Sequence, residues 1–394
     1  MLAGILLCAA ASCANPKIRP DEWRRTIKYP GNMAVKVVWR TQITDRSIQL
    51  MDADPLEDGI PVRDDKYVYV GGRSKKLFKI NARTGQVAAK KKLQEEVYSQ
   101  PLIVGDMLYL GDSSGYLIAF DKHNLRELWK YEANSEIIAP VVHKDGVLYF
   151  VTQKDTLTAI SADEGVFKWE YREEFHGTMS VRRHAAPLIL EDKVVTGFTV
   201  GTIAAFDLVH GKMMWRRDLG ESDRFNDVDA TPVYHDGHIY TASFDGSVYC
   251  LNAKTGLPVW KTKLKSASTV LILRDKLYLT STDNGLYCLE IDTGKISWNM
   301  KFKNVIHKSI LRDDSEGALS RPVQYNDKYL VFASSGTGLY FIDYQLQRMI
   351  EAFTPGVGIA SEPTTHENIV YVLTNGGYLY ALSLAPKGHH SLAK

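Results

Sequence analysis

Along the chain, apolar positions gather into short runs separated by Asp-, Asn- and Gly-bearing turns, and the same order of runs returns eight times. Each copy opens on a Pro-hydrophobic pair: Pro61-Val62, Pro101-Leu102, Pro140-Val141, Pro187-Leu188, Pro232-Val233, Thr269-Val270 (the copy without Pro), Pro322-Val323 and Pro363-Thr364. A second apolar run follows a turn. The third has the form Leu-Tyr-Ala-Leu, from Leu77-Phe78-Lys79-Ile80 to Leu379-Tyr380-Ala381-Leu382. A fourth run usually carries a Trp four residues after a Gly, as in Gly165 to Trp169, Gly211 to Trp215, Gly256 to Trp260 and Gly294 to Trp298. Trp129 takes that slot in a copy that lacks the Gly. Short apolar runs bounded by turn formers read as strands. A period of 37 to 53 residues made only of strands predicts a β-propeller with one four-stranded antiparallel blade per repeat.

The last copy stops after its third strand, near Leu384, whereas an unpartnered Trp-bearing run, Val35 to Ile43, precedes the first copy. Pairing the two closes the ring and leaves no open edge between first and last blades. The expected fold is therefore an all-β, eight-bladed propeller over residues 34–385, ended by a polar tail, 386–394.

Composition adds only limits. With 45% hydrophobic and 24% charged residues the chain supports a sizeable core, and a net charge of +2 argues against a nucleic-acid partner. The opening residues change the picture more. Residues 1–12 are apolar and end in small side chains, which reads as a signal peptide. Ala10-Ala11-Ser12-Cys13 resembles a bacterial lipobox, so Cys13 is the expected acylation site, with 13–33 as linker; a simple secreted protein is the alternative. Asn15, by resemblance to the sorting rule of enteric bacteria, favours the outer membrane. Cys250 and Cys288 hold one third-strand position in neighbouring repeats, where other copies have Ala, and read as packing residues rather than a disulfide or metal pair.

No catalytic constellation stands out. The eleven His form no HExxH or H-x₃-H cluster, and Gly336-Thr337-Gly338 and Gly376-Gly377 lead into no helix that could cradle phosphate. The repeat type resembles the pyrroloquinoline-quinone (PQQ) family of eight-bladed propellers. The adjacent cysteines of that family's dehydrogenases are missing here, so no cofactor is expected. A quinoprotein dehydrogenase or a propeller binding a small molecule in its funnel remains the enzyme-class alternative.

Longer intervals mark insertions at about 175–184, 220–229 and 303–319, each between a fourth strand and the next first strand. The first two fall at consecutive blade junctions, so they are expected to be neighbours on one rim, where recognition loops usually sit. They combine Met179, Val181, Arg182 and Arg183 with Asp223, Arg224, Asp227 and Asp229, an apolar centre flanked by charge that suits a protein partner. Asp227 and Asp229 also precede a strand, and loop-shaping hydrogen bonds are an equal reading for them.

The string Arg224-Phe225-Asn226-Asp227-Val228-Asp229-Ala230-Thr231-Pro232-Val233 resembles the corresponding loop and strand of the BamB family, lipoproteins of the outer-membrane β-barrel assembly machinery. Met179-Ser180-Val181-Arg182 is similar to the loop before it. The resemblance covers essentially the whole chain. It implies a non-enzymatic scaffold, monomeric within a hetero-oligomeric complex and lipid-anchored at the periplasmic face of the outer membrane. It also implies docking on the POTRA domains of the barrel-folding subunit BamA, with unfolded outer-membrane proteins as further clients. Carried over by position, Met179, Val181, Arg182, Asp227 and Asp229 are the implied contacts.

Overall fold

The expected strands form, and each sheet is built from consecutive segments with one exception at the chain ends. The computed structural model describes residues 33–44, 56–174, 185–220, 227–244, 246–264, 267–283, 285–302 and 317–386, and every regular element among them is a strand. They make eight four-stranded antiparallel sheets. Blade 1 lies within 62–92, blade 2 within 102–132, blade 5 within 233–263, blade 6 within 271–301 and blade 7 within 323–353. Blade 3 comprises Val142–Lys144, Val147–Val151, Thr156–Ser161 and Phe167–Arg172, and blade 4 comprises Leu188–Ile189, Lys193–Gly197, Thr202–Asp207 and Met213–Asp218. Blade 8 supplies Thr364–His366, Ile369–Leu373 and Tyr378–Pro386, completed by Met33–Gln42 from the other end of the chain.

The opening pairs of two repeats shift by one residue. In blade 3 the first strand starts at Val142, which faces Tyr149, and in blade 6 it starts at Leu271, which faces Tyr278. Val141 and Val270 therefore occupy the slot that Pro fills before Leu102, Leu188 and Val233. The connection from Ile137 to Val142 is as long as that from Val97 to Leu102; what differs is that Pro140 stands one position earlier in it than Pro101 does.

Each blade buries both faces against its neighbours, giving eight apolar clusters, one per junction. The cluster that joins Trp39 and Ile43 to Val68, Phe78 and Ile80 shows blade 8 packed on blade 1, so the ring is closed. The closure carries polar latches as well. Thr44 Oγ1 donates to buried Glu57 at 2.5 Å, and Ser361 Oγ donates to the Gly59 carbonyl at 2.8 Å.

The Gly-to-Trp spacing has a physical reason that crosses between blades. Five Trp lie over the turn Gly of the next blade: Trp39 over Gly85, Trp129 over Gly165, Trp169 over Gly211, Trp215 over Gly256 and Trp260 over Gly294. A Cβ on Gly85 would sit 2.7 Å from the Trp39 ring, and its φ of +74° is left-handed, so the position excludes side chains twice over. The indole N–H then donates to a carbonyl of that next blade, from Trp39 to Ala82 (2.8 Å), Trp129 to Ala162 (3.2 Å), Trp169 to Leu208 (3.0 Å) and Trp260 to Ile291 (2.9 Å). Opposite each Trp stands a small residue, among them Cys250 facing Trp260 and Cys288 facing Trp298; both cysteines are buried and free, as packing residues.

Candidate partner-docking face

Strand order fixes which connections share a face. Turns between strands two and three lie on the same side as the connections from strand four to the next blade, because both follow an even number of strand reversals. Short backbone bonds tie the two sets together. Val97, Ile137, Val228 and Ile359 donate to the carbonyls of Gly72, Asp112, Phe198 and Ser334 in such turns. Val97, Ile137 and Val228 fill the space over Gly71, Gly111 and Gly197, where a Cβ would come within 2.7 Å or closer of them. All three intervals singled out in the sequence are connections of this class: 175–184 follows Arg172, 220–229 follows Asp218, and 303–319 follows Lys301.

Met179, Val181, Arg182 and Cys13 lie outside the described residues. Asp227 and Asp229 are described, on either side of the Val228 plug, with Asp227 buried at 1% exposure and Asp229 half-buried. Asp227 holds the position of Glu96 and Glu136. Its carbonyl accepts from Phe244 N–H at 2.8 Å, as those of Glu96 and Glu136 accept from Ser113 and Gln153. Its backbone is thus part of the repeat, whereas its full burial is not shared by the half-buried Glu96 and Glu136.

What lies beside Asp227 was missed in the sequence. Asp155, in the second turn of blade 3, is buried at 2% exposure, and both its oxygens accept from Thr199 of blade 4: Oδ1 from the backbone N–H at 3.1 Å, Oδ2 from the hydroxyl. Burial pushes the Asp155 carboxyl up to about 6, with the Asp227 and Glu173 charges adding to the rise and the Thr199 bonds opposing it. Glu173, buried at the start of the first long connection, accepts from Arg216 of blade 4 (Nη2 at 2.7 Å, Nε at 3.2 Å) and from the Tyr171 hydroxyl at 2.6 Å. Burial, followed by that hydrogen bond, raises the Tyr171 phenol to about 12. The far ends of the connections also meet: Ala186 N–H donates to Thr231 Oγ1 at 3.0 Å.

A signal for this junction was present in the repeats. After the fourth strand, Leu93, Ala133, Leu219 and Leu264 donate their N–H to the carbonyls of Lys75, Gly115, Gly201 and Gly246; in blade 3 the same bond runs from Glu173 to Asp155 at 3.0 Å. An acid in a column of Leu and Ala is visible once the copies are aligned on their strand ends.

Among the described residues no group of three or more His, Cys, Asp or Glu is placed to hold a metal ion, and no helix is long and apolar enough to cross a membrane. Among the hollows on the described surface, two are shaped by neighbouring blades. One of about 680 Å³ lies between blades 2 and 3, lined mainly by Val104, Met107, Tyr109, Leu128 and Trp129. The other, of about 350 Å³, lies along the first strands, beside Val62, Arg63, Gln100, Leu102 and Val141.

The family model described as "Outer membrane protein assembly factor BamB" matches residues 35–138 and 126–300. The chain belongs to the BamB family. Curated BamB-family relatives include the outer membrane protein assembly factor of Salmonella typhimurium, 23% identical over 346 residues (73% of this chain, 85% of that one). That of Burkholderia pseudomallei is 27% identical over 217 residues (53% and 56%). The chain spans about half the length of the first curated relatives it matches. Among solved structures, BamB from Moraxella catarrhalis superposes with a TM-score of 0.73 at 21% identity, covering 89% of this chain and all of that one, a likeness of fold.

Proposed function

We propose that this chain is a non-enzymatic scaffold of outer-membrane protein assembly, which docks through its four-to-one face on the periplasmic POTRA domains of a BamA-like barrel-folding subunit. One observation carries the reading. Two long connections leave consecutive junctions on one face, and their described ends are held against each other by Glu173–Arg216 and Ala186–Thr231. A rigid ring that fixes two adjacent loops offers a partner a preorganised surface, which lowers the ordering cost of binding. Met179, Val181 and Arg182 would supply the apolar and cationic contacts, and Asp229 a rim charge. Asp227, being buried, would act by holding the second loop in place. Acylation at Cys13 would hold the ring at the periplasmic face of the outer membrane, within reach of the partner and of unfolded barrel clients.

Capture of the ring by immobilised POTRA domains tests the docking. Arg182→Glu is expected to lower affinity by about 2 kcal/mol, the loss typical of an Arg anchor whose charge is reversed. Capture equal to wild type would remove the assignment. Cys13→Ser is expected to move the protein from the membrane fraction to the soluble periplasmic fraction, as followed by fractionation and immunoblot; retention in the membrane would rule out anchoring through Cys13.

A further inference from the structure

The junction between blades 3 and 4 places two buried carboxylates where sister blades have Leu or Ala and Gly or Lys. Glu173 stands in the column of Leu93, Ala133, Leu219 and Leu264, and Asp155 in that of Lys75, Gly115, Gly201 and Gly246. Burying a carboxylate costs stability unless hydrogen bonds and opposite charge offset it. A Leu at 173 and a Gly at 155 would fit the repeat without that cost, so the fold alone does not call for the acids. Breaks in a local rule of this kind concentrate where function requires them.

The partners these acids take explain what they achieve. Glu173 begins the first long connection and grips Arg216, which stands shortly before Gly220, where the second begins. Asp155 grips Thr199, and the adjoining Phe198 carbonyl accepts from Val228 N–H at 3.1 Å, at the end of the second connection. Ala186, at the end of the first, is bonded to Thr231 beyond the end of the second. All four loop ends are therefore joined across the junction. We infer that Asp155 and Glu173 are positioning residues for partner docking, holding the two rim loops in one fixed relation. This rests on the docking reading above and adds the residues that set its geometry.

The network is also open to protons. The charged groups facing Asp155 are Glu173 on its own blade, Asp227 on the strap from blade 4 to blade 5, and Arg216 on blade 4, reaching it by way of Glu173. Protonating Asp155 removes an acceptor from Thr199 and so loosens the tie between the two blades. Burial places that event near pH 6.

The test separates fold from docking. Glu173→Leu, Glu173→Gln and Asp155→Asn would be measured for thermal stability, for POTRA affinity, and for amide hydrogen exchange at 185–186 and 227–228. The expected result is a melting temperature at pH 7.5 equal to or above wild type for Asp155→Asn and Glu173→Leu. Affinity should fall about tenfold, and exchange should quicken at the loop ends alone. The ratio of wild-type to Asp155→Asn affinity should shrink towards one between pH 7.5 and pH 5, a comparison in which the partner's own titration cancels. Wild-type affinity and exchange in folded Glu173→Gln and Asp155→Asn proteins would overturn the inference. Should the wild type bind no POTRA domain, the docking reading fails by itself, and the exchange measurement still decides whether the acids fix the loop ends.

Discussion

Lys79 illustrates how much a single residue can be asked to replace. Blade 1 has Ala89 where six other blades carry the inter-blade Trp, and Lys79 faces it across the strand pair. The Lys79 ammonium, buried at 5% exposure, donates to the carbonyls of Lys122 (3.0 Å) and His123 (2.8 Å), in the turn of the next blade that an indole would otherwise reach. Its charge lies 4.1 Å from the Tyr67 ring centre, and burial lowers its pKa. The turn Gly is replaced in step: Leu125, at φ +59°, packs beside Ala89 in the room the missing Trp leaves. Ala89→Trp alone is expected to destabilise by about 2 kcal/mol or more through overpacking. Adding Lys79→Ala and Leu125→Gly should recover most of that loss, as a triple-mutant cycle in urea would record. Asp155 gives a second prediction at this scale. Its folded pKa is raised, so the stability it contributes is present below its unfolded value and is lost as pH rises through about 6. Asp155→Asn should therefore raise stability at pH 8, by an amount on the order of 2–3 kcal/mol, and change little at pH 4. Melting temperatures at the two pH values check the sign.

At the scale of elements, Met33–Gln42 is the strand on which the ring depends. It runs antiparallel to Tyr378–Pro386 from Met33 opposite Pro386 to Gln42 opposite Tyr378, and its Trp39 packs on blade 1. Removing residues 33–42 would expose the backbone edge of Tyr378–Pro386 with no charged side chain to discourage pairing, since that strand reads Tyr-Leu-Tyr-Ala-Leu-Ser-Leu-Ala-Pro. The expected outcome is self-association on size-exclusion chromatography with light scattering; a stable monomer would contradict the closure argument. Trp39→Ala keeps the strand but loses the ring over Gly85 and the bond to Ala82, a cost of about 3 kcal/mol.

For the whole molecule, closure converts a repeat array into one cooperative body. Open arrays unfold by segments, since each unit contacts only its neighbours. Here the eight clusters form an unbroken circuit, so blade 8 is packed against blade 1 as well as against blade 7. Calorimetry of the protein should give a single transition, and the variant lacking 33–42 a broadened or split one. Rigidity at this scale also makes the docking proposal physical: loops on consecutive blades keep a set spacing only if the junction between them does not yield.

Blade number, strand order and closure were legible in the chain because they depend on periodic local signals: strand-length apolar runs, turn Gly, and a Trp strand left over at one end. The role of Cys250 and Cys288 followed from the same alignment. The face shared by the first two insertions was legible for the same reason, as strand order alone decides it. Asp155, Glu173 and Lys79 were not read, because along the chain each looks like an ordinary solvated charge in a turn, after a strand or within one. Their burial, and the partners that make it tolerable, come from the neighbouring blade about 40 residues away. Local pattern specifies which way a strand faces; only the packing of one blade on the next decides which of its charges lose their water.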